Sequence, residues 1–294
     1  MTILLSTPVL YIATVLIWGV SWFAIRFQLG VVPPELSIVY RFGMAAVIMI
    51  VFCLWRGESM RFSPRDHFFI ALQGIFLFST NYLVFYWASA TLTSGLIAVI
   101  FSTIVFMNMF NAAIFFGQNT TRAVMMGAGL GLVGILLIFW PELAQISHNH
   151  SALVGLGLSF LGTFMASLGN MASVRNQKQA IPVLQSNAYG MLYGTVFLLV
   201  YVFLADIELT YDERWPYSVS LVFLSLFATV LAFGAYLTLL GRIGSDRAAY
   251  ATVLFPVVAL SVSTLFEGYQ WSAPAVVGIA LVLLGNVLII QKPA

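Results

Sequence analysis

Apolar residues come along this chain in long runs, broken only by brief polar or charged interruptions. A hydrocarbon layer about 30 Å thick is crossed by about 20 apolar residues in a helix. The runs predict spans at 8–29, 34–55, 68–88, 94–116, 122–140, 152–172, 182–204, 217–239, 248–266 and 273–291. Pro34 and Pro182 open the second and seventh. A missing N–H costs nothing there, because the first amides of a helix have no partner within it. The boundary at 88–94 carries Ser, Thr and Gly in place of charge. The first run has no Lys or Arg ahead of it and is too long for the core of a signal peptide, so it is expected to stay as a span.

Composition sharpens this pattern. The chain is 61% hydrophobic and 7% charged, against about 25% charged in soluble domains. The expected fold is therefore all-α and integral to the membrane, with ten transmembrane helices and the lipid bilayer as a partner. A net charge of +2 gives no footprint for nucleic acid. The lone Cys53 excludes an intrachain disulfide and reads as a packing residue. His148 and His150 stand without further ligands, so no metal and no cofactor are expected. No Gly-rich phosphate loop, His-Glu metal helix or nucleophile elbow occurs, which argues against an enzyme and against ATP coupling. Gly127 and Gly131 predict close helix packing, and both a monomer and a homodimer stay open.

The distribution of charge sets an orientation. With a cytoplasmic N-terminus, the inside segments hold Arg56, Arg61, Arg65, Arg122, Arg175, Lys178, Arg242, Arg247 and Lys292, while the outside loops hold Arg214. This bias predicts that both termini are cytoplasmic. Trp55, Trp140, Trp215, Tyr217 and Trp271 fall at span ends, where aromatic belts form.

The chain also repeats itself. A shift of 149 residues brings Thr14 onto Thr163, Arg26 onto Arg175, Gln28 onto Gln177, Pro33 onto Pro182, Ser37 onto Ser186 and Tyr40 onto Tyr189. Near the end of each half a shift of 151 brings Gly117 onto Gly268, Gly127 onto Gly278 and Gly134 onto Gly285. Two halves of five spans follow, 1–145 and 146–294. Five is odd, so the second half threads the membrane in the opposite sense. Two inverted halves that exchange conformations turn an inward-open cavity into an outward-open one, which points to a transporter for a small-molecule substrate.

Polar faces mark where a cavity could lie. Thr14, Trp18, Ser21 and Trp22 share one face of the first span, and Ser159, Thr163, Ser167 and Asn170 share one face of the sixth. Lipid leaves such groups unsatisfied, so they face another helix or a wet cavity. Tyr82 and Tyr86 share a face of the third span with Ser79, with Asn81 and Trp87 nearby. Asn108 and Asn111 share a face of the fourth, and Tyr236 and Tyr250 lie in the eighth and ninth. Aromatic walls suit an amphipathic solute such as an aromatic amino acid. Candidate substrate contacts are thus Trp18, Ser21, Trp22, Tyr82, Tyr86, Asn108, Thr163, Asn170, Tyr236 and Tyr250, with helix packing as the alternative for each. Arg41 lies about 10 Å down the second span at 1.5 Å per residue, where a charge needs a partner or water. Glu267 and a bound carboxylate are the candidate partners. Pro256 breaks one hydrogen bond in the ninth span and is a candidate hinge.

Four groups of residues carry a family resemblance: Trp18-Gly19 with Trp22; Pro34 with Arg41-Phe42; Phe266-Glu267-Gly268; and Gly241-Arg242-Ile243-Gly244-Ser245 leading to Pro256-Val257-Val258. With them the chain resembles the drug/metabolite transporter superfamily in its ten-span EamA-type branch, and within it the aromatic amino-acid exporters. The resemblance implies a bacterial inner-membrane protein that exports a metabolite by alternating access. Ser102 and Thr103 depart from the proline often found in the fourth span, and Phe116-Gly117-Gln118 replaces a glutamate at its end. The first span lacks the glutamate that small multidrug relatives use for exchange.

Overall fold

The computed structural model describes residues 6–117, 122–138, 140 and 150–290, with backbone alone at 123, 124, 128, 237, 238, 240–250, 252, 253, 286, 289 and 290. Helices fill the described residues in chain order: α1 Thr7–Arg26, α2 Pro34–Trp55, α3 Pro64–Ser89, α4 Ser94–Phe116, α5 Arg122–Ile138, α6 His150–Lys178 and α7 Val183–Leu204. They continue as α8 Trp215–Tyr236, α9 Leu254–Phe266 and α10 Ala273–Ile290. Seven of them are individually long and apolar enough to cross a membrane, and the remaining predicted spans hold the shorter apolar stretches Met125–Ile138, Leu254–Phe266 and Ala273–Gly285.

The helix assignment runs unbroken through Ala232–Phe266, where the sequence pattern predicts two spans. Trp18 nevertheless touches Phe233 and Tyr236 at one end of this stretch, while its neighbour Gly19 backs onto Phe255 and Val258 at the other. A straight helix would hold those ends about 30 Å apart. The chain therefore reverses between them, and α8 and α9 are separate passes.

Polarity is inverted relative to a soluble protein. Val47, Phe110, Ile114, Met126 and Leu204 are exposed, whereas Thr14, Gln73, Ser159, Thr163, Ser167, Asn176 and Thr229 are fully buried. Lipid is the solvent that rewards this arrangement. Trp55 and Trp215 project outward at helix ends, as an interfacial belt requires. Tyr217 does not. It is 1% exposed, and its hydroxyl lies 3.1 Å from Ser37 Oγ, because Leu36, Val202 and Leu221 enclose it. Cys53 is buried, as packing predicts.

Two helices carry wider π turns, Phe76–Thr80 in α3 and Phe223–Leu231 in α8. A π turn inserts one residue and leaves a carbonyl without its usual donor. Thr80 Oγ1 donates to Ile75 O at 2.8 Å, and Thr229 Oγ1 donates to Leu224 O at 2.8 Å. These threonines are 149 residues apart, so the same device stands at the same place in both halves. The left-handed glycines that follow α4 and α9 match likewise, Gly117 at φ 65° and Gly268 at φ 70°.

Helices α5 and α10 pack through glycines in a reciprocal pattern. A Cβ at Gly134 would fall 2.5 Å from Gly278 O, and one at Gly285 would fall 2.5 Å from Gly127 O. Gly127 corresponds to Gly278 and Gly134 to Gly285, so each glycine meets the counterpart of the other. That is the signature of a two-fold relation with the helices antiparallel. Replacing Gly134 by Leu should lower stability by about 1–3 kcal/mol, the usual range for overpacking. Gly157, with no atom near its would-be Cβ, should tolerate Leu. Thermal unfolding in detergent checks this, and equal melting temperatures would contradict the reciprocal contact.

Candidate functional site

A cavity of about 130 Å³ lies among α1, α2, α3, α4, α6, α8 and α9. Its size is close to that of an apolar protein cavity of about 150 Å³ that takes up benzene. Trp18, Ser21, Trp22 and Ile25 form the α1 wall, and Leu77, Asn81, Tyr82 and Phe85 the α3 wall. Phe101, Ile104 and Asn108 come from α4, Phe233 and Tyr236 from α8, and Arg41, Asn170 and Phe255 each come singly from α2, α6 and α9.

Two aromatic groups shape the space. Trp18 meets Phe233 and Tyr236, each at 5.2 Å between ring centroids. Its indole N–H donates to Ala228 O at 3.0 Å, a carbonyl inside the π segment of α8. The wider turn thus supplies the acceptor that fixes the ring. Trp22 meets Phe85 at 5.1 Å, Phe101 at 5.3 Å and Phe255 at 6.5 Å. Between the groups, Tyr82 packs on Phe42 at 4.8 Å. Edge-to-face and tilted contacts of this kind hold large rings in fixed orientations.

Polar contacts tie α4 to α6 along one seam. Asn170 Nδ2 donates to Asn108 Oδ1 at 3.2 Å, and Asn111 Nδ2 donates to Ser167 Oγ at 2.8 Å. Asn108 and Asn170 therefore bind each other and also line the cavity.

Each end of the bundle is held by an arginine. At one end Arg26 pairs with Glu267 at 2.8 Å, although the Glu267 side chain is only 1% exposed. The same carboxylate accepts from Ser94 N at 3.0 Å, Ser94 Oγ at 2.6 Å and Ser263 Oγ. This latch joins α1, α4 and α9 next in sequence to Ile25, which lines the cavity. At the other end Arg175 pairs with Asp66 at 2.9 Å and stacks on Phe69 at 4.0 Å. Asn176, Gln73 and Asn187 continue that contact in a chain of amide hydrogen bonds, joining α3, α6 and α7. Arg26 and Arg175 are repeat counterparts, yet they clamp different sets of helices. Beyond the spans, Arg214 chelates Asp212 and holds its carboxyl below the ordinary range, chiefly through side-chain hydrogen bonds.

The structure places the predicted site residues as follows. Trp18, Ser21, Trp22, Tyr82, Asn108, Asn170, Tyr236 and Arg41 all line the cavity. Thr163 does not; it is fully buried and donates to Ser159 O at 2.7 Å. Tyr86 is also fully buried, outside the lining. The Tyr250 side chain lies outside the described residues. Pro256 is buried in the first turn of α9. The suggested Arg41–Glu267 pair is absent, because Glu267 is taken by Arg26 and two serines at the end of the bundle. Sequence reasoning missed Phe85, Phe101, Phe233 and Phe255, since one more phenylalanine in an apolar run carries no signal. It also missed Thr229, which accepts from Arg41 Nε at 3.3 Å; its register with Thr80 was the available clue.

Comparison with known proteins agrees with this architecture. The model of the EamA-like transporter family matches twice, over residues 5–140 and 152–291. The uncharacterized inner membrane transporter YedA of Escherichia coli K12 is 27% identical over 290 residues, covering 96% of this chain and 92% of the relative. The uncharacterized transporter YoaV of Bacillus subtilis is 26% identical over 282 residues, covering 93% of each. A probable amino-acid metabolite efflux pump of Escherichia coli K12 is 22% identical over 297 residues, covering 94% of this chain and 92% of the relative. One crystal structure superposes with a TM-score of 0.69 at 17% identity, covering 97% of this chain and 96% of its own, which shows a shared fold. With both halves matched and the helices arranged as described, the chain belongs to the EamA-like transporter family of the drug/metabolite transporter superfamily.

Proposed function

We propose that this protein exports a small amphipathic metabolite across the bacterial inner membrane, with amino acids, including aromatic ones, as the leading cargo. Transport proceeds by alternating access between the inverted halves 1–145 and 146–294. The observation that carries this reading is the cavity itself, walled by aromatic rings from helices of both halves. The reciprocal glycine contacts of α5 and α10 support inverted threading, and the relative named as an amino-acid metabolite efflux pump supports the cargo. The excess of Arg and Lys at the Arg175 end supports cytoplasmic termini. On that orientation the Arg26–Glu267 latch closes the outer end.

Reconstituted protein in liposomes tests the cargo. Saturable uptake of labelled phenylalanine and tryptophan is expected, with little uptake of a nucleoside, a nucleotide sugar or a cationic dye. Trp22→Ala should cut phenylalanine transport about tenfold or more, as loss of a buried aromatic anchor does. A non-saturating leak, or transport of the cationic dye in place of amino acids, would overturn the reading.

The latch makes a second prediction. Glu267→Gln removes the charge that holds α1, α4 and α9 together, so the outer end should open more often. Ile25→Cys should then react faster with an impermeant maleimide added from outside, while native Cys53 stays protected by burial. Unchanged labelling would show that the latch does not gate the cavity.

A further inference from the structure

Among the described residues Arg41 is the charged side chain in the cavity wall, and no carboxylate answers its charge. It is 2% exposed and reaches from α2 toward α3 and α8 in the cavity wall. Its Nε donates to Thr229 Oγ1 at 3.3 Å. Its guanidinium lies 4.5 Å from the Tyr82 ring centroid and 5.0 Å from that of Phe42. Nη1 makes no hydrogen bond of ordinary geometry, and the Tyr86 hydroxyl beside the guanidinium makes none either. Among the described residues no carboxylate pairs with it, and no Asp or Glu lines the cavity.

A buried cation at membrane depth is costly, and such residues normally pair or mark a solute path. The two rings and one hydroxyl answer part of that cost. They leave a donor without an acceptor, in a space built for an apolar body. Resting on the transport reading above, we infer that Arg41 is an anion subsite and that the cargo carries a carboxylate that docks on its guanidinium. The apolar part of the cargo then lies against Trp22, Phe85 and Phe101. A guanidinium presents paired donors that match a carboxylate's two oxygens.

The wall offers an ammonium group much less. Rings and the unpartnered Oδ1 of Asn81 are near it, but no carboxylate is. A carboxylate is therefore required of the cargo, and an ammonium is dispensable. The subsite is also single. The repeat counterpart of Arg41 is Gly190, which packs with Gly194 against the backbone of Gly74; a Cβ at Gly194 would lie 2.8 Å from Gly74 O. One half holds a glycine contact where the other holds a cation, so the cargo binds in one polarity.

The test is binding to purified full-length protein, followed by quenching of tryptophan fluorescence and by thermal shift. The probes are 3-phenylpropionate, its neutral isostere 3-phenylpropionamide, and 2-phenylethylamine. The wild type should bind the carboxylate at least about tenfold more tightly than the amide, as expected when a buried charge loses its partner, and should bind the amine most weakly. Arg41→Gln should erase the preference for carboxylate over amide, and Arg41→Lys should keep part of it. Wild-type protein that binds amide and carboxylate equally, that binds none of the probes, or that responds to chloride with no preference for the carboxylate, overturns the assignment without any variant having to fold. Persistence of the preference in Arg41→Gln overturns it as well. In liposomes, transport of carboxylate-free solutes would sink the subsite and leave the transporter standing. Carboxylate binding without transport would do the reverse.

Discussion

A polar group in lipid has no water to fall back on, and most of this structure follows from that constraint. Serines and threonines return their protons to carbonyls of their own helices, as Thr14 does to Leu10 and Thr163 to Ser159. Asparagines cross to neighbouring helices. Carbonyls released by the π turns are taken by Thr80, Thr229 and the Trp18 indole. At Arg41, in the cavity wall, a charged donor stays without a protein acceptor.

The repeat explains the scaffold, and its breaks explain the chemistry. Matching π turns, matching left-handed glycines and reciprocal α5–α10 packing give two similar halves. Three of the differences bear on the site: Arg41 against Gly190, Trp18 against Ser167, and Glu267 at a helix end where the first half has Phe116. The first pair makes the cavity cationic on one side only, and the second sets an indole on α1 where α6 carries a hydroxyl. The third lets one end of the bundle be latched through α1, α4 and α9, while Arg175 at the other end turns to Asp66.

The spans were legible because membrane depth fixes the length of an apolar run whatever packs against it. The repeat was legible because prolines, glycines and arginines stand out from an apolar background. The cavity was half legible. Tryptophan, tyrosine and asparagine at helical spacing led to Trp18, Trp22, Tyr82 and Asn170, but the polar stripe of α6 misled at Thr163. A hydroxyl can be satisfied within its own helix, so a stripe need not face water. The π turns left no trace in the pattern, because one inserted residue changes neither composition nor length appreciably. The partner of Arg41 was misjudged because depth along a helix does not say which helix ends meet. Glu267 stands at the end of α9, level with Arg26.

The central claim is that the two ends of the bundle open in turn around the cavity. Spin labels on Val31→Cys and Gln270→Cys report the latched end, and labels on Phe115→Cys and Gln179→Cys report the opposite end. Both distances would be measured by pulsed electron resonance in lipid nanodiscs, with and without an aromatic carboxylate. Alternating access requires that, as populations shift, one distance lengthen while the other shortens. Distances that rise together, or that both stay fixed while cargo is being transported, would contradict it.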